Sequence, residues 1–302
     1  MNVIETVNLS KKYGSKTVVN SVHLQVKKGE IFGFLGRNGA GKSTFINMIT
    51  GITTPSAGSF KLLNESTLQH VHKRIGVLPD YSSFYDSLTA LGHLKYYANI
   101  NGYTLSNERG KAVLERVGLL EHANKKVGKY SFGMKKKLGI AQAIIHDPEL
   151  IFLDEPTSGV DAESGISIRR LIAKLQQQGK TIFMTSHNLD EVEKICNRIA
   201  IMKDGEITHA GTIDELRARY SSSIQLELKH TPFSEHMQPI MDDFLQDIGK
   251  GVITNNNKTT LTVDKEATIP RIVKEFTKYD IDLYKLHVHT PSLEDIFLDE
   301  SK

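Results

Sequence analysis

The nine residues Gly36-Arg37-Asn38-Gly39-Ala40-Gly41-Lys42-Ser43-Thr44 constrain this chain more than any other feature. They spell G-x-x-x-x-G-K-[ST], directly after the apolar run Ile31–Leu35 and at the start of a helical stretch, Ser43–Ile49. The glycines let the backbone curl until successive N–H groups converge on an anion. The N-terminus of the following helix adds partial positive charge. In such a loop Lys42 reaches the β- and γ-phosphates of a nucleotide, and the Ser43 hydroxyl can hold Mg2+. A mere glycine turn would not need a buried strand before it and a helix after it.

The same alternation continues along the chain. Ile75–Leu78, Leu150–Leu153, Thr181–Met184 and Ile199–Met202 are short apolar runs that read as buried strands. Ser21–Val26 alternates with period two and reads as a half-exposed strand. Helical stretches lie between them, at about 89–99, 106–117, 133–146, 162–177 and 188–196. Asp204-Gly205 predicts a tight hairpin, and Thr212–Glu215 is a capping-box pattern that opens one more helix. This order implies an α/β domain on a largely parallel sheet.

The texture changes after Tyr220, where Ser221–Ser223 forms a small polar link. Ile224–Leu228, Val252–Thr254, Thr260–Val263 and Ile281–His289 read as strands, and Phe233–Ile248 and Ile269–Tyr279 as helices. The resulting strand-helix-strand-strand-helix-strand order is the split βαβ pattern of ferredoxin-like α+β modules. The expected domains are therefore residues 1–219, nucleotide-binding, and residues 220–302, a smaller accessory domain.

Composition narrows the function classes. Lys+Arg 38 against Asp+Glu 35 leaves a net charge of +3, too small an excess to argue for nucleic acid, and no nucleic-acid partner is expected. The single cysteine, Cys196, excludes an internal disulfide and reads as a buried thiol. The N-terminal segment carries Glu5 and lacks the apolar core of a secretory signal. No stretch reaches the ~18–20 apolar residues of a membrane helix. A cytoplasmic protein is expected, linked to a membrane only through a partner.

Ile151-Phe152-Leu153-Asp154-Glu155 is an apolar strand that ends in two carboxylates. At the carboxyl edge of a parallel sheet both face the crevice where ligands bind. Asp154 is placed to hold Mg2+ through water, and Glu155 to orient or deprotonate an attacking water. Adjacent carboxylates at a strand end are also common as a solvated edge, and only the upstream loop favours the catalytic reading.

Three further segments complete the pattern: Ser131-Phe132-Gly133-Met134 at a helix start, Ser158-Gly159-Val160-Asp161 after the acidic pair, and Thr185-Ser186-His187 at a strand end. In this order and spacing the chain resembles the nucleotide-binding subunit of ATP-binding cassette (ABC) transporters. The resemblance implies an ATPase that binds ATP and Mg2+ in a P-loop NTPase fold. It implies a head-to-tail dimer, with the same or a different subunit, around two nucleotides, and a separate transmembrane permease as partner. Residues carry over by motif. Tyr13 in KKYG matches the aromatic that stacks on adenine. Ser131 and Gly133 match the signature that meets the opposite protomer's γ-phosphate, Asp161 the loop between protomers, and His187 the switch histidine near the γ-phosphate. Asp161 could equally cap the helix that follows it.

Two departures stand out. Pro79-Asp80 occupies the place of the usual glutamine; Asp80 could still approach the metal's water shell. The signature carries Phe132 and Met134 at irregular positions, and the following Lys135–Lys137 reads as a solvated helix face. His70/His72 and His287/His289 read as structural or surface residues. Phe84 and Tyr85, in the segment that receives the permease in ABC ATPases, are candidates for that contact or for a plain core role. Residues 220–302, with the closing Pro291-Ser292-Leu293-Glu294-Asp295-Ile296-Phe297, resemble the domain appended to bacterial drug, bacteriocin and ion exporter ATPases. The reading is thus an ATPase subunit that powers an exporter. Its alternatives are a soluble ABC ATPase of translation or repair and a regulatory module with little hydrolysis.

Overall fold

The computed structural model describes residues 1–80, 83–220 and 224–289, and the chain divides into two compact units, Met1–Ile213 and Asp214–Lys302. The first unit opens with β1 (Asn2–Tyr13), β2 (Lys16–Lys27), β3 (Ile31–Leu35), α1 (Lys42–Ile49), β4 (Ala57–Leu62) and β5 (Ile75–Leu78). Helices α2 (Ala90–Ile100), α3 (Asn107–Arg116) and α4 (Phe132–Ile144) follow. It continues with β6 (Leu150–Leu153), α5 (Ala162–Gln177), β7 (Thr181–Ser186), α6 (Leu189–Ile195), β8 (Arg198–Lys203) and β9 (Glu206–Thr212). Helix α7 (Ile213–Tyr220) starts at the last residue of the first unit and otherwise belongs to the second, so the division falls at 213/214.

The central sheet has six strands in the order β5-β6-β7-β3-β8-β9. Every neighbouring pair is parallel except β8–β9, which the Asp204-Gly205 turn joins as a hairpin. Both turn residues have positive φ, 50° and 87°, as a tight primed turn demands. Phe32, Phe34, Phe45, Phe152 and Phe183 fill the core, with ring centroids 4.9 to 5.9 Å apart. Gly33 lets α6 close on β3: a Cβ there would lie 2.9 Å from Cys196 Sγ. Cys196 is buried as expected, and burial pushes its thiol pKa up.

A second, antiparallel sheet of order β2-β1-β4 covers this core. Of its strands only part of β2 was legible. Register shifts in β1 bury the consecutive residues Val3 and Ile4 and so break the period-two pattern. In β4 only Leu62 is fully buried, which leaves almost no apolar signal.

The second unit contains β10 (Ile224–His230), α8 (Met237–Ile248), β11 (Lys250–Asn255), β12 (Lys258–Val263), α9 (Ile269–Lys278) and β13 (Leu283–His289). Its sheet runs β11-β12-β10-β13 with all pairs antiparallel, the split βαβ arrangement. Both helices place apolar stripes on one face of it, with Met241, Leu245, Ile272 and Phe276 buried against Leu226, Leu228, Leu261 and Val263. The Pro291–Phe297 motif lies outside the described residues. Among the described residues no helix is long and apolar enough to cross a membrane.

Candidate functional site

Topology assembles the site. Strands β6, β7 and β3 are consecutive and parallel, so their carboxyl ends deliver Asp154-Glu155, Ser186-His187 and Gly36 to one crevice. Leu35 pairs with Ser186 and Leu153 with Met184, which sets the loop beside the histidine and the acidic pair beside Thr185.

The loop itself is held tightly. A Cβ on Gly36 would meet the Met202 carbonyl at 2.5 Å, and one on Gly41 (φ 109°) the Val18 carbonyl at 2.6 Å. Gly39, at φ 86°, has open space around it, and Arg37, Asn38 and Gly39 are exposed while Ala40 is buried. Lys42 is only 6% exposed, and its Nζ donates to Gly36 O at 2.7 Å and Arg37 O at 3.3 Å. Ser43 is exposed in the first turn of α1, with Thr44 half-buried beside it.

Glu155 stands at the centre. Its residue is 8% exposed, and its backbone φ is 50°, a left-handed conformation that side chains rarely adopt. Oε2 accepts a hydrogen bond from His187 Nδ1 at 2.9 Å, and Oε1 lies 3.5 Å from Lys42 Nζ. Oε1 is buried and has no hydrogen-bond partner among the described residues. A buried carboxylate oxygen left unsatisfied is costly unless water or substrate completes it. The cradle of Gly39, the ammonium of Lys42 and this open acceptor fit a bound triphosphate and its attacking water. Ser43 and Asp154 offer the oxygen donors that a magnesium ion prefers.

Thr185, to which the sequence assigned no role, ties the acidic pair to the sheet. Its hydroxyl donates to Asp154 Oδ1 and accepts the Glu155 N–H at 2.9 Å. It is fully buried on β7, and only the strand register reveals it. A half-buried group backs the crevice: Glu191 accepts from Thr157 Oγ1 and from Arg169 Nη1 at 2.8 Å, joining α6 to α5.

The remaining sites lie on the rim. Tyr13 ends β1 with its ring 52% exposed and Lys11 Nζ 5.0 Å above its face. Ser131 is exposed and caps α4 through Met134 N. Gly133 is buried, and a Cβ there would strike Ser164 Oγ at 2.4 Å. Asp161 caps α5, and the Ser164 N–H and hydroxyl that it accepts hold its carboxyl below the usual range. Phe132, 54% exposed, lies against Gly159. A cleft of about 470 Å3 runs between Glu155, His187, Ser158, Asp161 and Lys194.

One expectation changes. Lys136 is not on a solvated face: it is 6% exposed, while Lys135 pairs outward with Asp86 at 3.3 Å. Successive helix positions point about 100° apart, so one lysine of three turns inward. Asp80 directs Oδ1 at Lys136 Nζ, 3.5 Å away. Phe84 is half-buried against His93, with ring centroids 5.2 Å apart, whereas Tyr85 is exposed and its hydroxyl meets that of Tyr96 at 3.2 Å.

A phosphate loop on a parallel sheet, facing a buried carboxylate and a histidine, defines a nucleoside-triphosphate-hydrolysing domain. Comparison with known proteins specifies it. Residues 19–158 match the ABC transporter family and residues 211–300 the "ATP-binding protein DrrA1-3-like, C-terminal domain" family. The linearmycin resistance ATP-binding protein LnrL of Bacillus subtilis is 34% identical over 98% of this chain and 97% of its own. The bacitracin transport ATP-binding protein BcrA of Bacillus licheniformis is 35% identical over 98% of this chain and 96% of its own. Among solved structures, a dimeric post-hydrolysis ATP-binding cassette bound to ADP and Pi shares 27% identity at TM-score 0.63, covering 70% of this chain and 98% of that one. The chain belongs to the ABC transporter ATP-binding proteins and is an ATPase of that family. Members of the family dimerise and work with transmembrane permease subunits.

Proposed function

We propose that this chain hydrolyses ATP to drive an exporter permease, bound at the inner face of the cell membrane through that permease. The single observation that carries the reading is Glu155: buried, held by His187, and open toward Lys42. Glu155 takes the proton of the attacking water. The Lys42 ammonium offsets charge on the transferred phosphate, and His187 holds Glu155 through Nδ1 and steadies the γ-phosphate. Ser43 and Asp154 would hold magnesium, which when bound neutralises phosphate charge. The adenine stacks on Tyr13. Gly36 to Thr44 wraps the phosphates.

Ser131, Gly133 and Asp161 face a second ATP-binding subunit and complete its nucleotide site. A hydroxyl and bare backbone at a helix N-terminus suit an anion there. The relatives named for antibiotic resistance and transport support export. They do not favour a translation or repair role. Tyr85 and Phe84 are proposed for the permease contact.

The test is steady-state phosphate release by the full chain. Glu155→Gln is expected to lower hydrolysis by about 100-fold or more while magnesium-ATP still binds in calorimetry. Unchanged turnover would remove Glu155 from this role.

A further inference from the structure

We propose that Lys136 is a positioning residue: its buried ammonium ties the Asp80 loop to the backbone of Glu155 and so sets turnover without touching nucleotide. Lys136 Nζ donates to Glu155 O at 2.9 Å and to Asp80 O at 3.3 Å, and stands 3.5 Å from Asp80 Oδ1. The Phe132 ring centroid lies 5.8 Å from the same ammonium. An ammonium at 6% exposure needs its charge answered, and Asp80 answers it.

The geometry matters because of what the carbonyl belongs to. Glu155 sits at φ 50°, a conformation held only when its surroundings fix it. Its N–H is taken by Thr185 on β7, and its C=O accepts from Lys136 on α4 at 2.9 Å and more weakly from the Ser158 N–H at 3.3 Å, so the peptide groups on both sides of the base are pinned from opposite directions. Helix α4 opens at Ser131, and a small cavity of about 60 Å3 lies between Leu78, Asp80, Phe84, Phe132 and Lys136. One side chain therefore joins the signature helix, the Asp80 loop and the base. Asp80 acts through Lys136 rather than as a metal ligand. The inference rests on the reading of Glu155 as the base.

The experiment uses the full chain with Lys136→Met, Lys136→Arg and Asp80→Asn, each also placed in a Glu155→Gln background. Lys136→Met is expected to lower kcat about tenfold, with KM and the magnesium-ATP affinity within about twofold. Lys136→Arg keeps most of the activity. In the Glu155→Gln background Lys136→Met causes no further loss, because both act on one step. Without nucleotide, Asp80→Asn and Lys136→Met together lower the melting temperature by less than the sum of the two alone. Full turnover in Lys136→Met, an equal further loss in the Glu155→Gln background, or additive melting shifts would each overturn the proposal. Should Lys136→Met fail to fold, Asp80→Asn carries the test: a kcat reduced about threefold at constant KM and constant Mg2+ dependence supports the connection. An unaltered kcat, or a shifted Mg2+ dependence, refutes it. If Glu155→Gln alone leaves turnover intact, the base reading fails first and this inference falls with it.

Discussion

Glu155 in the first unit and His230 in the second are both buried titratable side chains, and they are finished differently. His230 is fully buried; its Nδ1–H donates to Thr231 O at 2.8 Å and its Nε2 accepts from Thr259 Oγ1 at 2.9 Å. Phe233 stacks on its ring at 4.3 Å and Phe276 meets it edge-on at 5.4 Å. Every polar atom of that ring is used, so it specifies packing. Glu155 keeps Oε1 buried, 3.5 Å from the Lys42 ammonium and without a hydrogen-bond partner among the described residues, in a strained backbone held from two sides. What sets the Glu155 side chain apart is its company: His187 Nδ1 on one oxygen and the Lys42 ammonium beside the other, at the carboxyl edge of the sheet.

That contrast can be broken or sharpened by substitution. The largest effect belongs to the open site, where Glu155→Gln abolishes most hydrolysis as described above. Thr185→Val comes next: it removes the hydroxyl that holds both Asp154 and the Glu155 N–H. A fall in kcat of about tenfold or more with a modest loss of stability is expected in phosphate-release and denaturation measurements. An unchanged kcat would show that the carboxylates need no anchor. In the closed site Thr259→Val leaves His230 Nε2 without its donor. We expect about 1–3 kcal/mol less stability by urea denaturation, with turnover per folded molecule unchanged. A loss of turnover there would erase the distinction.

The smallest effect is a pH dependence within the first unit. His93 is 3% exposed, packed by Phe84 and bonded to Gln142, and burial holds its pKa below the ordinary 6.5. Burial lowers His146 in the same way. Since the folded values are depressed, the unfolded chain takes up protons first as pH falls. Stability is complete above about 6.5 and declines as pH drops from there through the folded values. Melting temperatures between about pH 8 and 5 should show this slope, and His93→Gln should make it shallower. An identical slope in that variant would remove His93 as a contributor.

Much of this was legible beforehand. The buried strands, their helices and the loop Gly36–Thr44 follow from short apolar runs bounded by glycine and capping residues. The split βαβ order of the second unit follows from alternation that its sheet obeys with only short bulges. What escaped was context. Strand β1 hides behind its register shifts. Thr185 enters the sequence reading only as a neighbour of His187, and its hold on the acidic pair shows once β6 and β7 pair. Lys135, Lys136 and Lys137 are chemically alike in the sequence, and only packing distinguishes the buried one.

The sequence alone determined the chemistry available: a loop whose glycines permit convergent N–H groups, two carboxylates after an apolar strand, and a histidine after another. These are local properties of residue type and spacing. Tertiary structure alone decided which oxygen of Glu155 faces Lys42, which lysine is desolvated, and that Asp80 answers an ammonium. Such choices depend on the register of parallel strands far apart in the chain, and burial changes what a charge must do to be tolerated.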